Sequence, residues 1–190
     1  MGNREKVLEI ATDIFGKNGY RTTSIDEILE AARVSPSNFY YHFKSKEKLA
    51  FEVLERYFDY YRRQVAPIFM NKKLSATAKL QHLHASFVRI MSGNGCCGGC
   101  PMGNLAQELS DSHPEFRRRL ADFFQECMEA IADVVRQGVR AGEFRRTLEP
   151  KAAAYFLFGS LEGLILLSKN LKEVAPLEQG FRQALALMRE

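Results

Sequence analysis

The sequence has no long apolar run, little net charge and few cysteines, and each shortage removes a class of protein. Its 190 residues carry 27 basic and 23 acidic side chains, a net charge of +4. That excess is too small to mark a nucleic-acid binder from bulk charge, so such a role has to come from local distribution. The first residues, MGNREKVLEI, are charged and lack the apolar core of a secretory signal. The greasiest stretch, AAAYFLFGSLEGLILLS at 152–168, is short for a bilayer span of roughly 20 residues. It also carries Glu162 near its middle and reads as a buried helix. No membrane partner is expected, and the expected location is the cytoplasm. Four cysteines without an export signal fit a reducing compartment and argue against a disulfide framework. No glycine-rich phosphate loop and no nucleophile–base–acid set stands out, so neither an enzyme nor a cofactor is expected.

What is present is helical periodicity. Hydrophobic content of 46% and charged content of 26% are ordinary for a globular chain. Val7, Ala11 and Ile14 form one stripe with Leu8 and Phe15 beside it, and Gly16 and Gly19 are placed to end that helix. TSID offers Thr23 as an N-cap with Asp26 three residues on, opening a short helix that buries Ile28 and Leu29. Ser35 and Pro36 then start another short helix, which runs to about Phe43. Ser45 caps a longer one that Pro67 is expected to kink or end. Further helices are expected at 76–92, from Pro101, from a Ser112–Glu115 capping box to near Ala141, at 150–170 and at 176–189. Alternating strand patterns are scarce, and no internal repeat is visible. The expected fold is all-α.

The stretch RVSPSNFYYHFKSKEKL at 33–49 carries the chemistry. Two short helices joined by a tight turn, braced by a longer one, describe a helix-turn-helix unit. Phe39 and Phe43 lie four apart and share a face, where Ile28, Leu29 and Val34 can complete a small core. Ser37, Asn38, Tyr41 and His42 then point elsewhere, near a helix N-terminus suited to anions. Tyr40 lies between the faces, and Lys44, Lys46 and Lys48 follow. Between Arg33 and Arg63, seven basic side chains stand against four acidic ones. Polar tips on a helix too short to act as a strut suit base edges and phosphates in a major groove.

The segment GYRTTSIDEILEAARVSPSNFYYHFKSKEKL resembles the DNA-binding head of the tetracycline-repressor (TetR) family of bacterial transcription regulators. Gly19-Tyr20, Thr23-Ser24, Ile28, Val34-Ser35, Tyr40, His42-Phe43 and Ser45-Lys46 carry the likeness, which covers about residues 4–55. It implies a homodimer on palindromic double-stranded operator DNA and a helical body that binds a small inducer of unknown identity. By position it implies Ser37, Asn38 and Tyr41 as base readers, and Thr23, Tyr40, His42 and Lys46 as phosphate holders, with Lys44 alongside. The chain departs from the family at Arg33, where glycine is usual in the turn. If that position needs positive φ, arginine costs on the order of 1 kcal/mol there and could return a phosphate contact. The resemblance places the DNA-binding domain at 1–48 and the ligand-binding and dimerisation domain at 49–190.

In the body, the 150–170 helix is apolar nearly all round and so needs burial on every side. The family's dimer of paired last helices would use Phe158, Gly159, Gly163, Leu166, Leu177, Phe181 and Leu185, with the two glycines allowing close approach. Large apolar side chains that could wall an inducer pocket are Phe87, Met91, Met102, Leu105, Phe123, Phe124 and Met128, with Glu162 as a polar contact.

GNGCCGGCPMGN is the unusual feature of the body. Cys100 directly precedes Pro101 and would cap a helix, where the dipole favours a thiolate. GCPMGNLAQELSD also resembles a stretch of one TetR subgroup in which a Gly-Cys pair opens this helix, and some relatives of that type respond to electrophiles or oxidants through such a cysteine. Three readings stay open: a structural loop, a redox or electrophile sensor using Cys100 with Cys97 or Cys96, and zinc. Zinc is the weakest, since only His113 and Cys127 remain as distant ligands, and no metal site is expected. A CxxC oxidoreductase is more remote still, because its usual βαβ setting is missing.

Overall fold

The computed structural model describes residues 2–189. Among them are nine helices and no strand: α1 (Asn3–Asn18), α2 (Ile25–Ala32), α3 (Pro36–His42), α4 (Lys46–Met70), α5 (Ala76–Gly93), α6 (Pro101–Leu109), α7 (Pro114–Arg140), α8 (Pro150–Leu171) and α9 (Ala175–Ala186). The all-α expectation therefore holds. Two compact units result. One runs to Tyr61 and includes Cys100–Arg118, and the other contains Arg62–Gly99 and the chain from Arg119 onward. Both residue 48 and the change of unit after Tyr61 lie inside α4, and α6 belongs to the first unit.

In the first unit, α1 packs on α2 and α3. Ile28 and Phe39 are fully buried, Phe43 nearly so, and Leu29 and Val34 close the same core. Tyr57 of α4 donates its hydroxyl to Thr12 O of α1 at 2.6 Å. Burial, aided by the charge of Asp13, pushes that phenol well above its ordinary value, so it stays a donor. Gly16 lies within α1 and does not end it; a Cβ there would stand 3.2 Å from the Tyr57 hydroxyl.

Two caps differ from expectation. Ser24, not Thr23, caps α2, accepting from Glu27 N at 3.0 Å. Thr23 instead tucks inward and donates to Gly19 O. Pro67 lies inside α4, which ends at Met70. Ser112 sits one residue too early to cap α7, and its hydroxyl bonds His113 Nδ1 at 2.8 Å.

In the second unit, α9 lies along α8 and also touches α5. Leu177, Phe181 and Leu185 are buried in this core. They are therefore packed within one chain, which corrects their assignment to a dimer surface. Gly180 allows the approach, since a Cβ there would meet Leu164 Cδ2 at 2.3 Å. His84 of α5 stacks on Phe181 with ring centroids 4.9 Å apart, and its Nε2 lies 3.0 Å from Leu177 O. By length and composition α8 would pass for a membrane span, but its inner face packs on α9 and α5. It is not buried on every side as expected. Tyr155, Phe156, Leu166, Leu167 and Leu171 are each half exposed or more, and Gly159 and Gly163 face open space.

Candidate nucleic-acid interface

Local sequence sets the pose of α3. Ser35 accepts from Asn38 N, Pro36 takes the first helical position, and the helix ends at His42 with Phe43 as C-cap. Arg33 adopts φ 53° and ψ 48°, the left-handed conformation anticipated for the glycine-type position. Val34 N reaches back to Leu29 O at 3.1 Å, closing a Schellman-type turn between α2 and α3. The same bonds that end α2 thus aim α3.

The two phenyl rings turn inward, 5.6 Å apart. The remaining side chains of α3 then have one direction left. Tyr41 is 73% exposed and Tyr40 50%, Ser37 is exposed, and His42 is half-buried beside Tyr41. Asn38 is half-buried with its Oδ1 sealed from solvent and without a hydrogen-bond partner. Thr23 leaves the outward set: at 1% exposure its side chain cannot reach a phosphate. Exposed Ser24 is the hydroxyl next to it.

Cations frame this surface. Arg33 and Lys44 are exposed, Lys44 also at positive φ (63°) with its ammonium 5.9 Å from the Tyr41 ring. Lys46 opens α4 with its Nζ 4.3 Å from the Tyr20 ring centroid. Partial desolvation pulls that ammonium below its ordinary value, and the carboxylates of Glu108 and Glu27 pull it back up. Lys48 instead forms an exposed ion pair with Glu115 at 3.5 Å.

Sequence reasoning missed Glu108. Its carboxylate accepts from Tyr20 N at 3.1 Å and Arg21 N at 2.6 Å, and the Arg21 guanidinium donates to Glu108 O. One side chain of α6 therefore holds the α1–α2 turn. Gly19 makes this possible twice over, with φ 90° and with a Cβ position only 2.7 Å from Glu108 Oε1. No periodicity signals a contact between residues 88 apart; the only local hint was a glycine at a helix end.

The body's expected site residues differ in burial and in the unit they belong to. Met91, Met102, Leu105 and Phe123 are buried, and Met102 and Leu105 belong to the first unit with α6. Phe87 and Glu162 are half-buried. Phe124 and Met128 do meet, in a groove of ≈ 430 Å³ that Tyr155 and Lys151 of α8 also line. Phe158 packs beside it, its ring 5.4 Å from Phe124.

Among the cysteines, Cys100 caps α6 as expected, its Sγ accepting from Gly103 N at 3.4 Å, and is buried. Cys96 is buried at φ 55°. The exposed thiol of the cluster is Cys97, with Lys172 Nζ 3.7 Å from its Sγ. No disulfide is recorded among the cysteines, and no group of metal-ligating side chains gathers among the described residues.

Known proteins agree with this geometry. Residues 7–53 match the bacterial regulatory proteins of the tetR family, and residues 76–185 match the tetracyclin repressor-like C-terminal domain. The chain is 30% identical to the HTH-type transcriptional repressor DhaR of Mycobacterium sp. strain GP1, over 93% of this chain and 87% of that protein. It is also 30% identical to the transcriptional regulator AcuR of Cereibacter sphaeroides, over 80% of this chain and 70% of that one. A crystal structure of regulatory protein TetR from Rhodobacter sphaeroides superposes with a TM-score of 0.90 at 27% identity, covering 96% of both chains.

Proposed function

Because the chain belongs to the tetracycline-repressor family of DNA-binding transcriptional regulators, we propose that it represses transcription from a palindromic operator, as a dimer that a small ligand releases. Ser37, Asn38 and Tyr41 read base edges, while Arg33, Tyr40, His42, Lys44 and Lys46 hold phosphates. DNA binding is assigned to residues 1–48, and ligand binding and dimerisation to 49–190. The half-exposed apolar face of α8, with Gly159, Gly163 and Leu166, meets its mate, and the protein works in the cytoplasm. The observation that supports this most is the division of α3: Phe39 and Phe43 turned in, Tyr40 and Tyr41 turned out. The test replaces Tyr40 by Ala and Lys46 by Gln together. Operator affinity should collapse while circular dichroism stays helical, and each lost phosphate contact should flatten the salt dependence by about one unit of slope. Unchanged affinity would overturn these contacts.

A second reading, in which a thiol is the sensor, is favoured by Cys97 and Lys172. The lysine ammonium lies 3.7 Å from the exposed Cys97 sulfur, whereas Cys100 is buried. Iodoacetamide would be attacked at its iodomethylene carbon by Cys97 Sγ, which supplies the electron pair for the new C–S bond as the C–I bond breaks, iodide leaves and the thiol proton passes to solvent. Cys97→Ser should then bind operator normally and resist derepression by iodoacetamide; a Cys97→Ser protein that iodoacetamide still inactivates, alongside a resistant Cys100→Ser, would return the role to Cys100.

A further inference from the structure

A second cavity, of ≈ 480 Å³, lies where the end of α4 turns into α5 beside the last turns of α7. Its walls are Phe69, Met70 and Leu74, and its polar groups are Lys72, Lys79 and Gln137. Lys79 is the anomaly. It is 5% exposed, yet its Nζ hydrogen-bonds only the neutral Gln137 Oε1, at 3.0 Å. No carboxylate among the described residues pairs with Lys79 or with Lys72. The nearby Glu143 is committed elsewhere, accepting from Ala76 N and Thr77 N at the start of α5.

An ammonium this deeply buried is costly without a counter-charge, and lysine is rarely buried unless paired. Here the structure leaves the counter-charge out and leaves room for it. Gln137 turns its oxygen to Lys79, which frees its Nε2 to donate. Two donors, one charged and one neutral, suit the two oxygens of a carboxylate, and exposed Lys72 adds a second positive charge at the rim. The apolar walls suit a short alkyl chain.

We propose that this cavity binds small carboxylates bearing a short apolar tail, with Lys79 as the anchoring cation and Gln137 as the second donor. The site is separate from the α7–α8 groove and goes beyond the regulatory reading, because binding here is claimed whatever its effect on DNA.

The test is calorimetric titration and thermal unfolding with sodium hexanoate, at constant ionic strength, against hexanol and hexylammonium chloride. Hexanoate should bind saturably and raise the melting temperature, and the other two should not. Lys79→Met should weaken hexanoate at least about tenfold, Lys72→Met should weaken it less, and Lys79→Arg should retain most of it. If Lys79→Met fails to fold, the comparison between wild type and Lys79→Arg against hexanol still decides. Hexanoate without saturable binding, hexanol binding as tightly, or a folded Lys79→Met with undiminished affinity would overturn the site. None of these readouts uses DNA, so failure here leaves the role of α3 untouched.

Discussion

Gly19→Ala should damage this protein for two separable reasons. Gly19 sits at φ 90° and ψ 167°, a region open almost only to glycine, where another residue costs roughly 1–3 kcal/mol. Its new Cβ would also stand 2.7 Å from Glu108 Oε1. The carboxylate end is flexible, so it moves away and surrenders its bonds to the Tyr20 and Arg21 amides. At this partly exposed site those bonds contribute about 1 kcal/mol each. The sum is about 3–5 kcal/mol, or a melting temperature lower by ~10 °C for a chain of this length. In a Glu108→Ala background only the backbone part remains, so Gly19→Ala should cost about 2 kcal/mol less there. A double-mutant cycle by urea unfolding measures that coupling. Additive effects would refute the claim that Gly19 is small in order to admit Glu108. Operator affinity should fall with both single variants, since the same turn leads into α2.

Two further outcomes follow from single residues. Arg33→Gly should raise stability by about 1 kcal/mol, because glycine takes the left-handed conformation without strain. It should also lower the salt slope of operator binding by about one unit if the guanidinium holds a phosphate; a slope that does not change removes Arg33 from the interface. His84 lies below its ordinary value of 6.5, chiefly through burial. The unfolded chain therefore takes up its proton first as pH falls. This contribution to stability is complete above 6.5 and lost between that value and the lower folded one. His84→Phe should flatten the pH dependence of the melting temperature between pH 7 and 5, and an unchanged profile would show that His84 does not titrate on unfolding.

Local chemistry was legible where the deciding contacts are local. Ser35 and Pro36, Ser45 and Cys100 cap as read, because a cap is a bond to an amide two or three residues on. The inward pair Phe39 and Phe43 followed from spacing alone. Thr23 and Ser24 both offer a hydroxyl at the start of α2, and the sequence alone does not say which one caps: Ser24 accepts from Glu27 N while Thr23 donates to Gly19 O. Leu177, Phe181 and Leu185 were seen as a buried stripe, but a stripe does not say which surface covers it. In the chain that surface is α8 and α5. Glu108, Lys79 and the Cys97–Lys172 approach depend on partners 88, 58 and 75 residues away, and nothing in periodicity reports such pairs.

The central claim is that the outward side of α3 lies against duplex DNA while its inward rings stay packed. Fluorine NMR of protein carrying 3-fluorotyrosine, titrated with a palindromic duplex selected from a random pool, tests it directly. Tyr40 and Tyr41 should shift on complex formation, and Tyr57, half-buried with its hydroxyl bonded to Thr12 O of α1, should not. A complex that forms with the Tyr40 and Tyr41 signals unmoved would contradict the account.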